Sequence, residues 1–376
     1  MAQVYFTPGP AELYPTVSQH IKTALDEHIG SISHRSAAFR KIYQHTDEQL
    51  RTLLNIPATH AILFTGSATE IWERMIQNCV EFESFHCING SFSQKFYDTA
   101  NDLKKFTHRF EKPLGHGFDY EDFVKVTDGT AAKGEENNGK VKIPDYVELV
   151  CLTANETSTG VQMRGVDINK LKRSYRSKLF CVDMVSSAPY HSLDFEEVDS
   201  AFFSVQKSFG LPAGLGVWIA SEKCLAKAEQ LREKDLSIGS YHSLPSLWKN
   251  YKNFETPETP NVWNIYLLGK VAEDMNRIGV EAIRKETDAK AKKIYDFLEK
   301  TEGYEPYVKN PEHRSPTVAV ANTTEPSKQL IERLKTQGMI LGSGYGKAKE
   351  TQVRIANFPA VSMEQVETLL QAMKPV

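Results

Sequence analysis

The sequence predicts an α/β fold, with a large, mostly parallel sheet domain followed by a smaller C-terminal α+β domain. Three observations carry this prediction. Short apolar runs at 61–64, 147–152, 179–184, 201–205 and 217–220 have the composition of strands buried on both faces. Helical spacing over 70–80, with Ile71, Met75 and Ile76 on one side, follows the first run. The 376 residues are enough to bury two cores. Strands alternating with helices favour parallel pairing, and such sheets bind ligands at the carboxyl ends of their strands.

The later elements follow in order. Residues 129–140 hold Gly, Asn, Glu and Lys without a large apolar side chain, which predicts an exposed loop. Pro257 and Pro260 mark a loop over 251–260, ahead of one long helix at about 265–300. That helix is expected to cross from a large domain, 17–262, into a small one, 263–376, which the segment 1–16 joins. Strands are predicted at 316–321 and 352–356, and a helix at 328–337 closed by Gly338. Ser362 and Gln365 have the spacing of a capping box, so a final helix begins there.

Bulk properties exclude several function classes. A net charge of -3 gives no global drive toward nucleic acid or an anionic membrane. No run of about 18 apolar residues suggests a membrane span, and residues 1–6 do not read as a signal peptide. Cys79, Cys87, Cys151, Cys181 and Cys224 form no C-x-x-C pair, against zinc ribbons and thioredoxin-like redox sites. Reduced, partly buried thiols, no metal and a cytoplasmic setting are the expectations.

Three stretches carry chemistry. Thr65-Gly66-Ser67-Ala68-Thr69 follows a strand and opens a helix, where free N–H groups and the helix dipole favour a phosphate. An ordinary Ser/Thr cap would read the same way. Asp183 ends an apolar run, and a buried carboxylate needs a partner, such as a protonated pyridine nitrogen or a backbone N–H. Lys207 follows another such run. Burial there would lower its pKa and free the amine as a nucleophile, although strand-end lysines are common on surfaces. Together the three suit pyridoxal 5′-phosphate (PLP), which has a phosphate, a pyridine nitrogen and an aldehyde for a Schiff base with Lys207.

On Gly66-Ser67-Ala68-Thr69, Asn155-Glu156-Thr157-Ser158-Thr159-Gly160, Asp183, Gln206-Lys207 and Arg354, the chain resembles the class V aminotransferases of the fold type I PLP enzymes. The likeness runs from Phe6 to Arg354. It implies a transaminase in which Lys207 binds the cofactor and moves a proton at the substrate, and Asp183 pairs with the pyridine nitrogen. It assigns Ser67, Ala68, Thr69 and Gln206 to the cofactor phosphate, with Thr256 reaching in from a second subunit of a homodimer. Thr157 would bond the ring hydroxyl, Phe92 would stack on the ring, and Arg354 would grip the substrate carboxylate.

The substrate reading divides. Ser33-His34-Arg35-Ser36, 209–215 and 253–261 resemble the branch that acts on phosphoserine with 2-oxoglutarate, in serine biosynthesis. There His34 and Arg35 would bind the substrate phosphate across the dimer, with Lys347 adding charge. Residues 156–161 and Gly344-Tyr345-Gly346-Lys347 resemble the branch that pairs alanine or serine with glyoxylate. A desulfurase would need a cysteine beyond Cys224, and none exists. A non-catalytic binding protein on the same fold stays open at this level.

Overall fold

The computed structural model describes residues 3–127, 130–131 and 139–374. Most of the loop expected at 129–140 lies outside the described residues. In chain order the first half comprises β1 (Val4–Phe6), α1 (Val17–Asp26), α2 (Ala37–Leu54), β2 (His60–Thr65), α3 (Ala68–Cys79), β3 (Glu83–Ile88), α4 (Ser91–Asp102) and β4 (Phe106–Glu111). Next come β5 (Val126–Thr127), β6 (Thr130–Ala131), β7 (Leu149–Thr153), β8 (Asn155–Glu156), β9 (Val161–Gln162), α5 (Gly165–Ser174), β10 (Leu179–Asp183), β11 (Ser200–Ser204) and β12 (Gly216–Ser221). Then follow α6 (Glu222–Glu233), α7 (Leu244–Tyr251), α8 (Val262–Ile278) and α9 (Val280–Lys300). The chain ends with β13 (Tyr304–Pro306), β14 (Val318–Thr323), α10 (Ser327–Lys335), β15 (Met339–Ser343), β16 (Gln352–Ala356) and α11 (Met363–Met373).

All five apolar runs enter one sheet, ordered β2-β12-β11-β10-β7-β3-β4. β12 runs against the direction shared by the other six strands, so the sheet is mostly parallel. Successive side chains of a strand point to opposite faces. Ile62 and Phe64 therefore join a core with α1, α2, α5 and α8, while Ala61 and Leu63 join a second core with α3, α4, α6 and α7. Burial on both faces explains why these strands read as continuous apolar runs.

A second sheet, β1-β15-β16-β14-β13, packs against α9, α10 and α11. The N-terminal strand belongs to it, because residues 4–6 pair in parallel with 339–341. Ser362 and Gln365 form the expected capping box at the start of α11.

The helix expected over 265–300 is two helices. Gly279 sits between them at φ +90, outside the helical region, and no Cβ strains that conformation. Ile265, Leu268, Val271 and Met275 of α8 bury in the large-domain core, whereas Ile294 and Leu298 of α9 bury under the small sheet. The first turn of α9 still packs on the large core through Val280 and Ile283, so the passage from one core to the other falls within α9. The five cysteines are free and fully buried, more so than expected. Among the described residues no helix is long and apolar enough to cross a membrane, and no His/Cys/Asp/Glu cluster could hold a metal.

Candidate active site

Four parallel strands, β2, β7, β10 and β11, end at one edge of the large sheet, and the candidate residues lie just beyond them. Asp183 is the last residue of β10 and is buried. Its Oδ1 accepts the Val185 N–H at 2.9 Å, and its Oδ2 accepts the indole N–H of Trp72 at 3.2 Å. Burial pushes the carboxyl up to about 7, against the pull of these two donors.

Lys207 lies three residues past the end of β11. Its Nζ donates to the Pro8 carbonyl at 2.6 Å. Burial lowers the amine to about 8; the Arg354 charge lowers it further and the Asp183 charge opposes both. An amine at that value has a substantial neutral fraction near physiological pH, which an ordinary lysine lacks.

Asp183 and Lys207 line one pocket of about 160 Å³ together with Ala68, Thr69, Phe92, Thr157 and Gln206. Trp72, Asn155, Val185 and Ser204 complete its wall. Phe92 is held there by local design. The N–H groups of Phe92 and Ser93, in the first turn of α4, donate to the buried Glu156 carboxylate at 3.1 and 2.8 Å. Thr157 comes next, its Oγ1 2.6 Å from that of Ser186. The Gln206 Oε1 and Asn155 Oδ1 are buried without a partner among the described residues. Orphaned acceptors, a buried carboxyl lacking a bonded cation and a wall of Phe92, Trp72 and Val185 suit a flat ligand that carries donors.

Arg354, on β16, stands beside the pocket, next to Thr157, without lining it. Its Nε donates to the Ser343 carbonyl at 2.7 Å and a terminal nitrogen to the Thr157 carbonyl at 3.4 Å. No carboxylate pairs with it among the described residues, and desolvation lowers its pKa.

Other sequence-assigned residues do not meet in this pocket. The Ser67 hydroxyl caps α3 by accepting the Glu70 N–H, so it sits at the rim instead of in the wall. Thr256 is buried and donates to the Glu258 carbonyl, within its own loop. His34 and Arg35 lie in the turn before α2, with Arg35 exposed, and neither lines the pocket. Lys347 is exposed on a short 3-10 turn. Sequence reasoning missed Trp72, although it shares a helix face with Ala68 at the i, i+4 spacing. It also missed Ser204, whose Oγ accepts the Ala68 N–H at 3.0 Å.

Comparison with known proteins agrees with this geometry. Residues 123–369 match the family described as aminotransferase class-V. The crystal structure of a phosphoserine aminotransferase from Cytophaga hutchinsonii is 48% identical, covers 98% of either chain and superposes with a TM-score of 0.92. A curated phosphoserine aminotransferase from Rhodococcus opacus is 24% identical over 370 residues, 97% of this chain and 92% of the relative. An alanine–glyoxylate aminotransferase from Nostoc, 20% identical over 100% of this chain and 95% of its own, shares the fold with a TM-score of 0.81. By sequence and by architecture, the chain belongs to the class V aminotransferases and is a transaminase of the fold type I group.

Proposed function

We propose that the protein moves an amino group between O-phospho-L-serine and 2-oxoglutarate, with PLP held between Lys207 and Asp183. The observation that carries the reading is the shared pocket of a half-buried amine and a buried carboxyl, with an arginine beside them that has no acidic partner among the described residues. The substrate assignment is supported by the 48% identity to the Cytophaga hutchinsonii enzyme over nearly the whole chain.

When bound, PLP supplies an aldehyde that captures amines and a ring that takes up electrons released at the substrate Cα. The protein supplies the rest. Asp183, fixed by Trp72 and Val185, would present a carboxylate to the pyridine nitrogen and keep that nitrogen protonated. Gln206, Thr69 and the first turn of α3 would hold the phosphate, and Thr157 the ring hydroxyl. Arg354 binds the substrate carboxylate in a bidentate fork. That contact would orient the Cα–H bond toward Lys207, whose amine would serve as the general base that holds and moves the Cα proton.

Residues that this chain leaves outside its own pocket fit a two-subunit site. Thr256, His34 and Arg35 are assigned to the neighbouring pocket of a homodimer, where the last two would meet the substrate phosphate. A location in the cytoplasm and a place in serine biosynthesis belong to the same reading.

The test is a comparison of two substrate pairs with the PLP-loaded enzyme. Turnover of phosphoserine with 2-oxoglutarate is expected. Turnover only of serine or alanine with glyoxylate would replace this reading with the alternative that the Gly344–Lys347 stretch resembles.

A further inference from the structure

We propose that Lys95 binds the phosphate of the substrate while Arg354 binds its carboxylate, with Tyr345 setting the position of Lys95. The inference rests on the phosphoserine reading above and deepens it.

Lys95 lies on α4 three residues after Phe92, a spacing that puts both on one helix face. Phe92 lines the pocket, and Lys95, exposed and outside the lining, is one helical turn further along the same face. The Lys95 Nζ donates to the Tyr345 hydroxyl at 2.8 Å and lies 5.4 Å from the ring centroids of both Phe92 and Tyr345. The Phe92 and Tyr345 rings themselves are 5.3 Å apart. The Arg354 guanidinium carbon is 5.5 Å from the same Tyr345 ring. One phenol ring is therefore next to two cations.

Neither cation has a carboxylate partner among the described residues. Lys95 is bonded to a neutral hydroxyl, and Arg354 to two carbonyls. Most exposed lysines of this chain that make contacts are paired with acids, as Lys292 is with Asp296 and Lys293 with Glu367. Two uncompensated positive charges gathered on one ring beside Phe92 raise the local potential and favour an anionic ligand.

The spacing suits a substrate with two anionic ends. Because both cations touch one ring, they are at most about 11 Å apart. Four bonds separate the carboxylate carbon of phosphoserine from its phosphorus. A substrate whose carboxylate and phosphate are joined through a chain this short can offer one anion to each of two cations gathered on one ring. Lys95 differs from the equally exposed Lys347 in its contacts with Tyr345 and the pocket-lining Phe92. Lys95 belongs to the large domain and Arg354 to the small one, so a doubly anionic substrate links the two.

Substitution of Lys95, an exposed side chain, is expected to leave folding intact. In the holoenzyme, Lys95→Met should raise KM for O-phospho-L-serine by roughly 10- to 100-fold, as for loss of a charged hydrogen bond, and leave kcat within about threefold. Lys95→Arg should restore most of the loss. Competitive inhibition by inorganic phosphate should weaken in Lys95→Met. The slow single-turnover reaction with L-serine, which has no phosphate, should be unchanged. If wild type uses phosphoserine and Lys95→Met matches its KM, this inference is wrong and the proposed function stands. Equal losses with serine and phosphoserine would also overturn it, because they indicate general damage. A wild type that ignores phosphoserine removes both readings together.

Discussion

The indole N–H of Trp72 points at the Asp183 carboxylate from 3.2 Å, across 111 residues of sequence. The ring is itself stacked on Phe96, with centroids 5.9 Å apart, so the donor is held in place by packing. Asp183 thus meets a cofactor with its orientation already set. Trp72→Phe keeps an aromatic ring and removes the donor. The expected outcome is a loss of about tenfold in PLP affinity, on the order of 1.5 kcal/mol for a hydrogen bond to a charged group. Equilibrium titration of the apoprotein measures it, and an unchanged dissociation constant would contradict the role.

Without a cofactor, Asp183 should make stability depend on pH in a defined direction. Its folded pKa of about 7 lies above the ordinary 3.8. Between those values the folded protein binds more protons than the unfolded chain, so this stabilisation falls as pH rises and is gone above about 7. From pH 5 to pH 7.5 the apoprotein should lose about 2–3 kcal/mol through this group, the equivalent of two pKa units. Asp183→Asn removes that component. Urea denaturation of both apoproteins at the two pH values checks it; identical pH dependence would refute it. Lys207 adds little in this window, because its lowered value of about 8 still leaves it mostly protonated in both states.

Gly9→Ala should disable the amine without unfolding the protein. A Cβ at Gly9, where φ is +140, would lie 2.1 Å from the Lys207 Nζ. The lysine must move aside, and a displacement of about 1 Å of a reacting group can cost roughly 10²-fold in rate. Activity measured alongside near-ultraviolet circular dichroism separates displacement from unfolding. Wild-type kcat would show that the N-terminal segment does not touch the working enzyme.

Beneath the site, Lys172 and Asp199 form an ion pair of 2.9 Å, each side chain 1% exposed. Lys172 also donates to the Lys178 carbonyl, and Asp199 accepts the Phe180 N–H, tying α5 to the start of β10 and β11. Lys172→Met leaves a buried charge unpaired and should destabilise by about 3–5 kcal/mol. Chemical denaturation reads this directly. A loss under about 1 kcal/mol would mean that Asp199 is satisfied by Lys223, 3.7 Å away.

Much of this arrangement was legible in the residues. Buried parallel strands produce continuous apolar runs, so the sheet was visible, and with it the edge where Asp183 and Lys207 stand. Trp72 was not, because its meaning depends on how α3 lies against β10. Lys95 and Tyr345 are 250 residues apart, and no local pattern joins them. The break at Gly279 was hidden because apolar spacing continues on either side, and a lone glycine costs a helix only about 1 kcal/mol. Thr256, His34 and Arg35 were read from resemblance, and a single chain does not assemble them.

The N-terminal strand has one more consequence. Residues 4–6 are anchored in the small sheet, while the Pro8 carbonyl, two residues on, holds the amine of the large one. The strand works as a tether from one body to the latch of the other. Any swing of the C-terminal body tugs on that latch, so the grip on the nucleophile and the gap between the bodies are mechanically geared.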